Sequence, residues 1–289
     1  ERDVKNLFEK AFNLNIVHSS IAGFRDQLRR AGSPLYEALK KSLKCGSFIH
    51  IDETGWNVDG KNHWLWKFSN KRVCVSHIDR SRGQKVVEDV IGSKYDGVII
   101  SDFLSAYNKI GAKGKQRCLV HLLRDLKKVQ RYWYDDEEVL HYISRLKKII
   151  EDAIELHKQY RGKPWDQAYL DTRAFLESAI KDFAFPNPNK RVLKRFANRL
   201  ARHREELLTF LYEKDIDYHN NHAEQQIRPD VIFRKITNGN RSPKGVQCHN
   251  VIASILQTAK LNKIDPIGTF ENILLRAKQY PLLTALSPP

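Results

Sequence analysis

The stretch Ser47-Phe-Ile-His-Ile-Asp-Glu-Thr-Gly-Trp56 combines strand-forming apolar residues with two adjacent carboxylates, Asp52 and Glu53. Phenylalanine and isoleucine favour a buried β-strand, which would hold Asp52 rigidly. Hard cations such as Mg²⁺ require oxygen ligands at short, fixed distances, so an aspartate mounted on a strand is a suitable ligand. A strand that stops at a polar turn would give the same pattern. The metal-site interpretation therefore depends on carboxylates supplied elsewhere in the chain.

Two later segments supply such carboxylates. Val98-Ile-Ile-Ser-Asp102 is another short apolar run that ends in an aspartate. Glu224 lies in Tyr218-His-Asn-Asn-His-Ala-Glu-Gln-Gln-Ile-Arg228, a predicted helix that ends at Pro229 and carries Glu224 and Arg228 on one face. A surface ion pair between Glu224 and Arg228 is the alternative interpretation. Three carboxylates can hold two divalent ions about 3.5–4 Å apart, an arrangement that serves phosphodiester chemistry.

The pattern from residue 47 to residue 121 predicts an α/β fold with a mixed sheet. Three consecutive antiparallel strands are expected up to Ile78, with Asp59-Gly60 as the turn of the first hairpin. Beyond them, strands alternate with helices, which indicates parallel pairings. We expect a helix over 103–110 and a further short strand over 117–120.

Helical periodicity dominates the beginning of the chain and a long central segment. Residues 1–44 are expected to form a helical lead-in, with a second helix that starts after Gly32-Ser33-Pro34. Residues 122–213 lose strand character and are expected to form a large helical insertion. The catalytic core would then consist of 45–121 and of 214–289, and the latter range includes the C-terminal helices.

The composition favours a polyanionic partner. The chain has 289 residues, with 50 Lys and Arg against 34 Asp and Glu and a formal charge of +16. Such an excess is typical of nucleic-acid-binding proteins, and a generally basic surface is the alternative. No apolar run reaches the roughly eighteen residues of a membrane span. The cysteines form no C-x-x-C pair, which fits a reduced cytosolic environment.

A series of short motifs follows in order along the chain. They are His50-Ile-Asp-Glu-Thr54, Trp64-Leu-Trp66, Ser81-Arg-Gly83, Tyr95-Asp-Gly97, Ser101-Asp102, Ala106-Tyr107, Cys118-Leu-Val-His121, Arg124-Asp125, Asn221-His-Ala-Glu224, Ile227-Arg228-Pro229, Arg234-Lys235, Ser254-Ile255, Thr258-Ala-Lys-Leu-Asn262 and Ile264-Asp-Pro266. Together these motifs resemble the transposase core of the insertion sequence 66 family of bacterial transposases. The match begins near Phe48 and covers most of the chain.

The resemblance implies a ribonuclease-H-like fold with an acidic DDE triad, in which Asp52, Asp102 and Glu224 occupy the triad positions. It implies metal-dependent hydrolysis of phosphodiester bonds at transposon ends, followed by transfer of the liberated 3′-OH to target DNA. All three acids are oxygen donors, so Mg²⁺ is the expected cofactor, with Mn²⁺ able to substitute. Cys118-x-x-His121 is expected to be a packed cysteine with a hydrogen-bonded histidine.

DNA is the expected partner, both as transposon ends and as target. The protein is expected to act as a homodimer or higher oligomer on DNA, in the bacterial cytoplasm and associated with the nucleoid. Candidate DNA contacts are Arg228, Arg234, Lys235, Arg241, Lys244 and His121. The start at Glu1 and the lack of methionine lead us to expect a missing upstream region. Two alternatives stay open: a related nuclease that cuts without joining, and a transposase-derived DNA-binding protein.

Overall fold

Five strands form one mixed sheet in the structure, a computed structural model that describes residues 2–184 and 190–275. The strands are β1 (Phe48–Val58), β2 (Lys61–Ser69), β3 (Cys74–Asp79), β4 (Lys94–Ser101) and β5 (Gly111–Arg117). Their order in the sheet is β3-β2-β1-β4-β5. The expected α/β fold, a ribonuclease-H-like mixed sheet with flanking helices, is confirmed.

Both parallel and antiparallel pairings occur in this sheet. Strands β2 and β3 are antiparallel, with Trp64 opposite Asp79, whereas β1 and β4 are parallel, with His50 opposite Ile100. The neighbouring strands β1 and β2 are joined by Asp59-Gly60, whose φ angles are 51° and 75°. Positive φ at both central residues is the geometry of the tight hairpin turn that the Asp-Gly pair predicts.

Ten helices accompany the sheet within the described residues. They are α1 (Arg2–Phe12), α2 (His18–Lys44), α3 (Gln84–Ile91), α4 (Leu119–Tyr132), α5 (Glu137–Gln159), α6 (Gln167–Ala184), α7 (Arg191–His203), α8 (Asn221–Thr237), α9 (Pro243–Leu261) and α10 (Pro266–Leu274). In the part of the chain that the structure describes, none of them has the length and apolar character needed to cross a lipid bilayer.

The described residues form two compact units. The first unit comprises 2–46, 51–94 and 222–275, and the second comprises 47–50 and 95–221 apart from 185–189. Strand β1 contributes its first three residues to the second unit and the remainder to the first. The expected division into a lead-in, two core segments and an insertion stays a prediction.

In the first unit, helix α9 satisfies the backbone of strand β3 at the edge of the sheet. The backbone N–H groups of Cys74, Ser76 and Ile78 donate to the side-chain oxygens of Thr258 (3.0 Å), Ser254 (2.8 Å) and Asn250 (3.0 Å), respectively. Four helical residues and two strand residues both advance by about 6–7 Å, so the two repeats stay in step. The helix therefore covers an edge that would otherwise expose unpaired donors.

The second unit has a core that strand β4 shares with the helices that follow β5. Val98 and Ile100 of β4 pack in one cluster with Leu122 of α4, Ile143 of α5 and Leu200 of α7, all almost completely buried. Burying a side chain of this kind contributes about 1.5–3 kcal/mol. The helices between β5 and α8 are therefore fixed to the sheet by apolar burial.

Two predicted elements between residues 103 and 120 are wrong. A strand was expected over 117–120, but strand β5 runs from Gly111 to Arg117, and helix α4 already begins at Leu119. Strand β5 lies at the edge of the sheet, and its Gly-Ala-Lys-Gly-Lys sequence does not alternate between apolar and polar residues. The hydrophobic pattern therefore does not reveal this strand. The expected helix over 103–110 is a single short 3₁₀ turn at Ser105–Tyr107.

Two prolines that were predicted to mark helix boundaries lie inside helices instead. Helix α2 continues through Pro34, and helix α8 continues through Pro229. A proline removes one backbone hydrogen bond, but burial on both sides of it can outweigh that loss. Leu35 and Leu39 are at most 1% exposed after Pro34, and Ile227 and Asp230 are buried on either side of Pro229.

Candidate active site

Asp52 lies inside strand β1 of the first unit, with a half-buried side chain. Side chains alternate along a strand, so Asp52 shares its face with Thr54 and Trp56. Helix α8 covers that face: Nη1 of Arg234 donates to Oγ1 of Thr54 at 3.3 Å, and the ring of Phe233 stacks on Trp56 with a centroid separation of 6.4 Å. Asp52 is therefore on the side of β1 that faces α8.

Glu224 lies in the first turn of α8, also in the first unit, and is half-buried. The next turn places Ile227 in a buried cluster with Trp56 and Val58 of β1. Asp52 and Glu224 are thus carried on facing surfaces of one strand and one helix. The positive end of the helix macrodipole favours a carboxylate in this first turn.

Glu53 has a different environment from its neighbour Asp52. Its side chain is 2% exposed, and its Oε1 accepts hydrogen bonds from Nε (3.1 Å) and Nη2 (2.8 Å) of Arg82. The guanidinium carbon of Arg82 lies 4.3 Å from the ring centroid of Trp64. The guanidinium group of Arg82 therefore contacts both the Glu53 carboxylate and the Trp64 ring. Through this contact Glu53 holds Arg82 in place, which is a structural role.

Asp102 belongs to the second unit and follows the last residue of β4. Its Oδ1 accepts a hydrogen bond from the backbone N–H of Leu104 at 2.8 Å. Its backbone oxygen accepts a hydrogen bond from Nη1 of Arg117, also at 2.8 Å. Arg117 is completely buried and also bonds Oε2 of Glu206 at 2.6 Å. Burial raises the pKa of Glu206, but the hydrogen bond from His203 and the Arg117 charge outweigh it and hold that pKa below its usual range.

A buried hydrogen bond in the second unit connects the chain segments that lead to the candidate acids. Nδ1 of His50 lies 3.0 Å from Oδ1 of Asn220, and both residues are buried. His50 precedes Asp52 by two residues, and Asn220 immediately precedes α8. The backbone N–H of Asn220 donates to Sγ of Cys118 at 3.3 Å, and this cysteine is completely buried.

The candidate DNA-contacting residues differ in accessibility. Arg228, Lys235 and Arg241 are exposed, and His121 on α4 is half-buried. Arg234 and Lys244 are engaged within the protein: Arg234 bonds Thr54 and the backbone oxygen of Gly55, and Nζ of Lys244 lies 3.2 Å from Asp26.

A buried polar network that was not predicted from the sequence lies beneath α8. Lys67 and Asp230 form an ion pair, and Oδ1 of Asp230 also lies 2.8 Å from Nε2 of His249. Burial raises the pKa of Asp230, but the His249 hydrogen bond and the Lys67 charge outweigh it and hold that pKa well below its usual range. The available signal was a lysine within Trp64-Leu-Trp-Lys-Phe68, where a lone charge among strand-forming aromatics indicates a buried partner.

The mixed sheet, with one acid on β1, one after β4 and one in the first turn of α8, defines an α/β protein of the ribonuclease-H-like kind. A family model described as transposase IS66 family matches residues 4–248. The chain therefore belongs to the IS66 family of transposases.

The chain is also similar to a curated protein. The uncharacterized protein y4qI of Sinorhizobium fredii (strain NBRC 101917 / NGR234) is 25% identical over 279 residues, which cover 85% of this chain and 50% of that protein. The chain thus spans about half the length of the curated relative that it matches.

Proposed function

We propose that the chain is the catalytic core of a DNA transposase. In this proposal it hydrolyses phosphodiester bonds at transposon ends and then joins the liberated 3′-OH to target DNA. Membership in the IS66 family supports the reaction class. The observation that carries the site assignment is the environment of His50, because this one residue is connected to the segments that precede all three candidate acids.

The catalytic residues in this proposal are Asp52, Asp102 and Glu224. His50 precedes Asp52 by two residues on β1, and its partner in the parallel register, Ile100, precedes Asp102 by two residues. The His50–Asn220 hydrogen bond then fixes the residue before α8, four positions ahead of Glu224. These relationships support a common role for the three carboxylates.

The donor set fits a hard divalent cation, Mg²⁺ or Mn²⁺. Three carboxylates offer only oxygen ligands, which such cations prefer. Asp102 uses Oδ1 for the Leu104 N–H, and within the described residues Oδ2 has no hydrogen-bond or ion-pair partner. When bound, a pair of such ions supplies activation of the attacking oxygen and stabilisation of the leaving oxygen. The protein contributes rigid mounting, through strand β1, the turn after β4 and helix α8.

The partner in this proposal is DNA, as transposon end and as target, and a homodimer or higher oligomer acts on it at the bacterial nucleoid. The exposed cations Arg228, Lys235 and Arg241 would neutralise phosphates near the acids. His121 is a further candidate contact. Arg234 and Lys244 would act mainly by holding α8 and the start of α9 in place, since both are already bonded within the protein.

The test measures cleavage and joining separately from binding. Duplexes that carry the terminal sequence of the element encoding this chain are incubated with Mg²⁺, either intact or pre-cut to expose the 3′-OH. We expect the wild-type protein to cleave and join these duplexes. We expect Asp102→Asn to bind them but to lose both reactions. Cleavage without joining of pre-cut ends would identify a nuclease. Binding with neither reaction, under Mg²⁺ or Mn²⁺, would identify a DNA-binding protein and overturn the proposal.

A further inference from the structure

Helix α7 in the second unit has one apolar face and one strongly cationic face. Leu193, Phe196, Ala197 and Leu200 are buried, and the helix contains no aspartate or glutamate. Its outward residues are basic and exposed: Arg191, Lys194, Arg195 and Arg202. Their spacing of three, four and eleven residues from Arg191 places them in one stripe along the helix.

These four cations form no ion pair among the residues that the structure describes. By contrast, two neighbouring half-buried cations are paired: Nη1 of Arg199 lies 2.9 Å from Asp125, and Lys190 pairs with Asp136. The helix thus separates structural cations from a row of exposed cations whose charges are not neutralised.

Helix α4 adds a second cationic stripe beside the first. Asp125 lies on α4, and Trp133 directly follows that helix, with Nζ of Lys190 5.9 Å from its ring centroid. As the contact position on α4 advances from Asp125 to Trp133, the partner moves back from Arg199 to Lys190, so the two helices run antiparallel. Exposed cations recur on α4 at helical spacing, namely Arg124, Lys127, Lys128 and Arg131, of which Lys128 pairs with Asp125 at 3.8 Å.

We infer that these two stripes form a docking surface for the phosphate backbone of duplex DNA. We call it the α4–α7 surface. The inference deepens the proposed function, since it rests on DNA as the partner. The stripe from Arg191 to Arg202 spans about 16 Å at 1.5 Å per residue. A duplex segment of that length carries roughly nine phosphates at one charge per 1.7 Å, which matches a surface with several unneutralised cations.

The α4–α7 surface binds the phosphate backbone of DNA and does not read the base sequence. Arginine and lysine on an exposed helical face contact phosphates, and such contacts fix register and orientation without reading sequence. A helical segment that holds DNA in this way would fix the orientation of a long duplex. It would also add counterion release to the binding free energy, which makes the affinity strongly salt-dependent.

The test removes the four cations of the α7 stripe and compares this variant with a control that loses the same number of charges elsewhere. The test variant carries Arg191→Gln, Lys194→Gln, Arg195→Gln and Arg202→Gln. The control variant carries Lys147→Gln, Lys148→Gln, Lys158→Gln and Lys163→Gln, which are exposed cations of the same unit, three of them paired with carboxylates. Both variants lose four positive charges. Binding to a fluorescent 30-base-pair duplex of arbitrary sequence is measured by anisotropy across a salt series.

The logarithm of the affinity falls with the logarithm of salt by about 0.9 for each neutralised phosphate. The test variant should therefore lower this slope by roughly two to four and weaken binding at least about tenfold. The control should change the slope by less than about one. Equal effects of the two variants, or an unchanged slope in the test variant, would overturn the inference. If circular dichroism shows that the test variant is unfolded, Arg124→Gln, Lys127→Gln and Arg131→Gln replace it, and the control then omits Lys163→Gln so that both variants lose three charges.

Two further measurements separate the possible failures. If the wild-type chain binds no duplex, the inference and the DNA-binding part of the proposed function both fail. If it binds and cleaves DNA and the test variant does so equally well, only the α4–α7 surface is refuted. Sedimentation with vesicles of phosphatidylserine and phosphatidylcholine tests whether the surface binds an acidic membrane instead. Vesicle binding that the test variant loses, together with unchanged DNA binding, would assign the surface to lipid and overturn the inference.

Discussion

Nδ1 of His50 lies 3.0 Å from Oδ1 of Asn220, and the two residues are 3% and 0% exposed. A buried polar pair of this kind is stable only when both partners are present, because an unsatisfied buried group keeps its full desolvation cost. Asn220 also donates its backbone N–H to Cys118, so the residue before α8 is held by two separate contacts. The position at which the Glu224 helix begins is thereby fixed.

Asn220→Ala should therefore impair both stability and the proposed chemistry. Loss of the amide leaves His50 without this buried partner, which should lower the free energy of unfolding by about 1–3 kcal/mol. At a temperature at which the variant stays folded, DNA cleavage should still fall, since a small displacement of a catalytic group is costly. Urea denaturation and cleavage rates are the measurements. Gln159→Ala, an exposed amide with only a 3.4 Å contact to Glu155, is the control and should change neither.

A second prediction concerns the ion pair beneath α8. Nζ of Lys67 contacts Asp230 (2.6 Å), Ser76 (2.6 Å) and Gln257 (2.8 Å), so all three ammonium protons have acceptors. Removing one partner of a buried pair costs about 3–5 kcal/mol, because the other charge stays buried and uncompensated. Lys67→Met and Asp230→Asn should each destabilise the protein by an amount of that order.

The double variant provides the sharper outcome. Lys67→Met with Asp230→Asn removes both charges, so its destabilisation should be clearly smaller than the sum of the single effects. The exposed pair Lys148–Asp152, at 2.6 Å, is the matched control, and its double-mutant cycle should give a coupling below about 1 kcal/mol. Additive single effects at Lys67 and Asp230 would mean that the pair does not act as a unit.

The same carboxylate predicts a dependence of stability on pH. The pKa of Asp230 is depressed in the folded protein, despite burial, by the His249 hydrogen bond and the Lys67 charge. A depressed folded pKa gives stability that is present above the unfolded value, about 3.9, and is lost as pH falls toward the folded pKa. The difference in unfolding free energy between wild type and Asp230→Asn should therefore shrink between pH 6 and pH 3. A difference that stays constant over this range would contradict the assignment.

The sequence predicts those parts of the fold in which local pattern and packing agree. The apolar run before Asp52, the Asp59-Gly60 turn and the run before Asp102 are each visible as strand or turn patterns and are found as such. Strand β5 is not visible, because its Gly- and Lys-rich sequence gains its strand conformation from pairing at the sheet edge. The passage of α8 through Pro229 depends on buried contacts on both sides, which only the folded chain provides.

The candidate site is predictable only as residue types. Asp52, Asp102 and Glu224 are recognisable from their positions in motifs, but the His50–Asn220 bond joins residues 170 positions apart and leaves no local pattern. The different role of Glu53 also depends on a distant partner, since Arg82 lies 29 positions away. Alternation along β1 alone separates Asp52 from Glu53 and does not reveal what Glu53 bonds.

The last prediction compares these two adjacent carboxylates. Asp52→Asn, Asp102→Asn and Glu224→Gln should each lower DNA cleavage and joining by roughly 10³-fold or more. Pairs of these substitutions should add little, because residues that act as one unit are not additive. Duplex binding should persist in all of them, since phosphate contacts come from lysine and arginine.

Glu53→Gln is the control, and it is expected to separate stability from chemistry. It removes the charge that holds Arg82 against Trp64 at a buried position, so its melting temperature should fall. At a temperature at which it remains folded, its cleavage and joining rates should stay near those of the wild type. Near-native rates in Glu224→Gln, or a loss of chemistry in folded Glu53→Gln as large as in Asp52→Asn, would show that the three acids are assigned incorrectly.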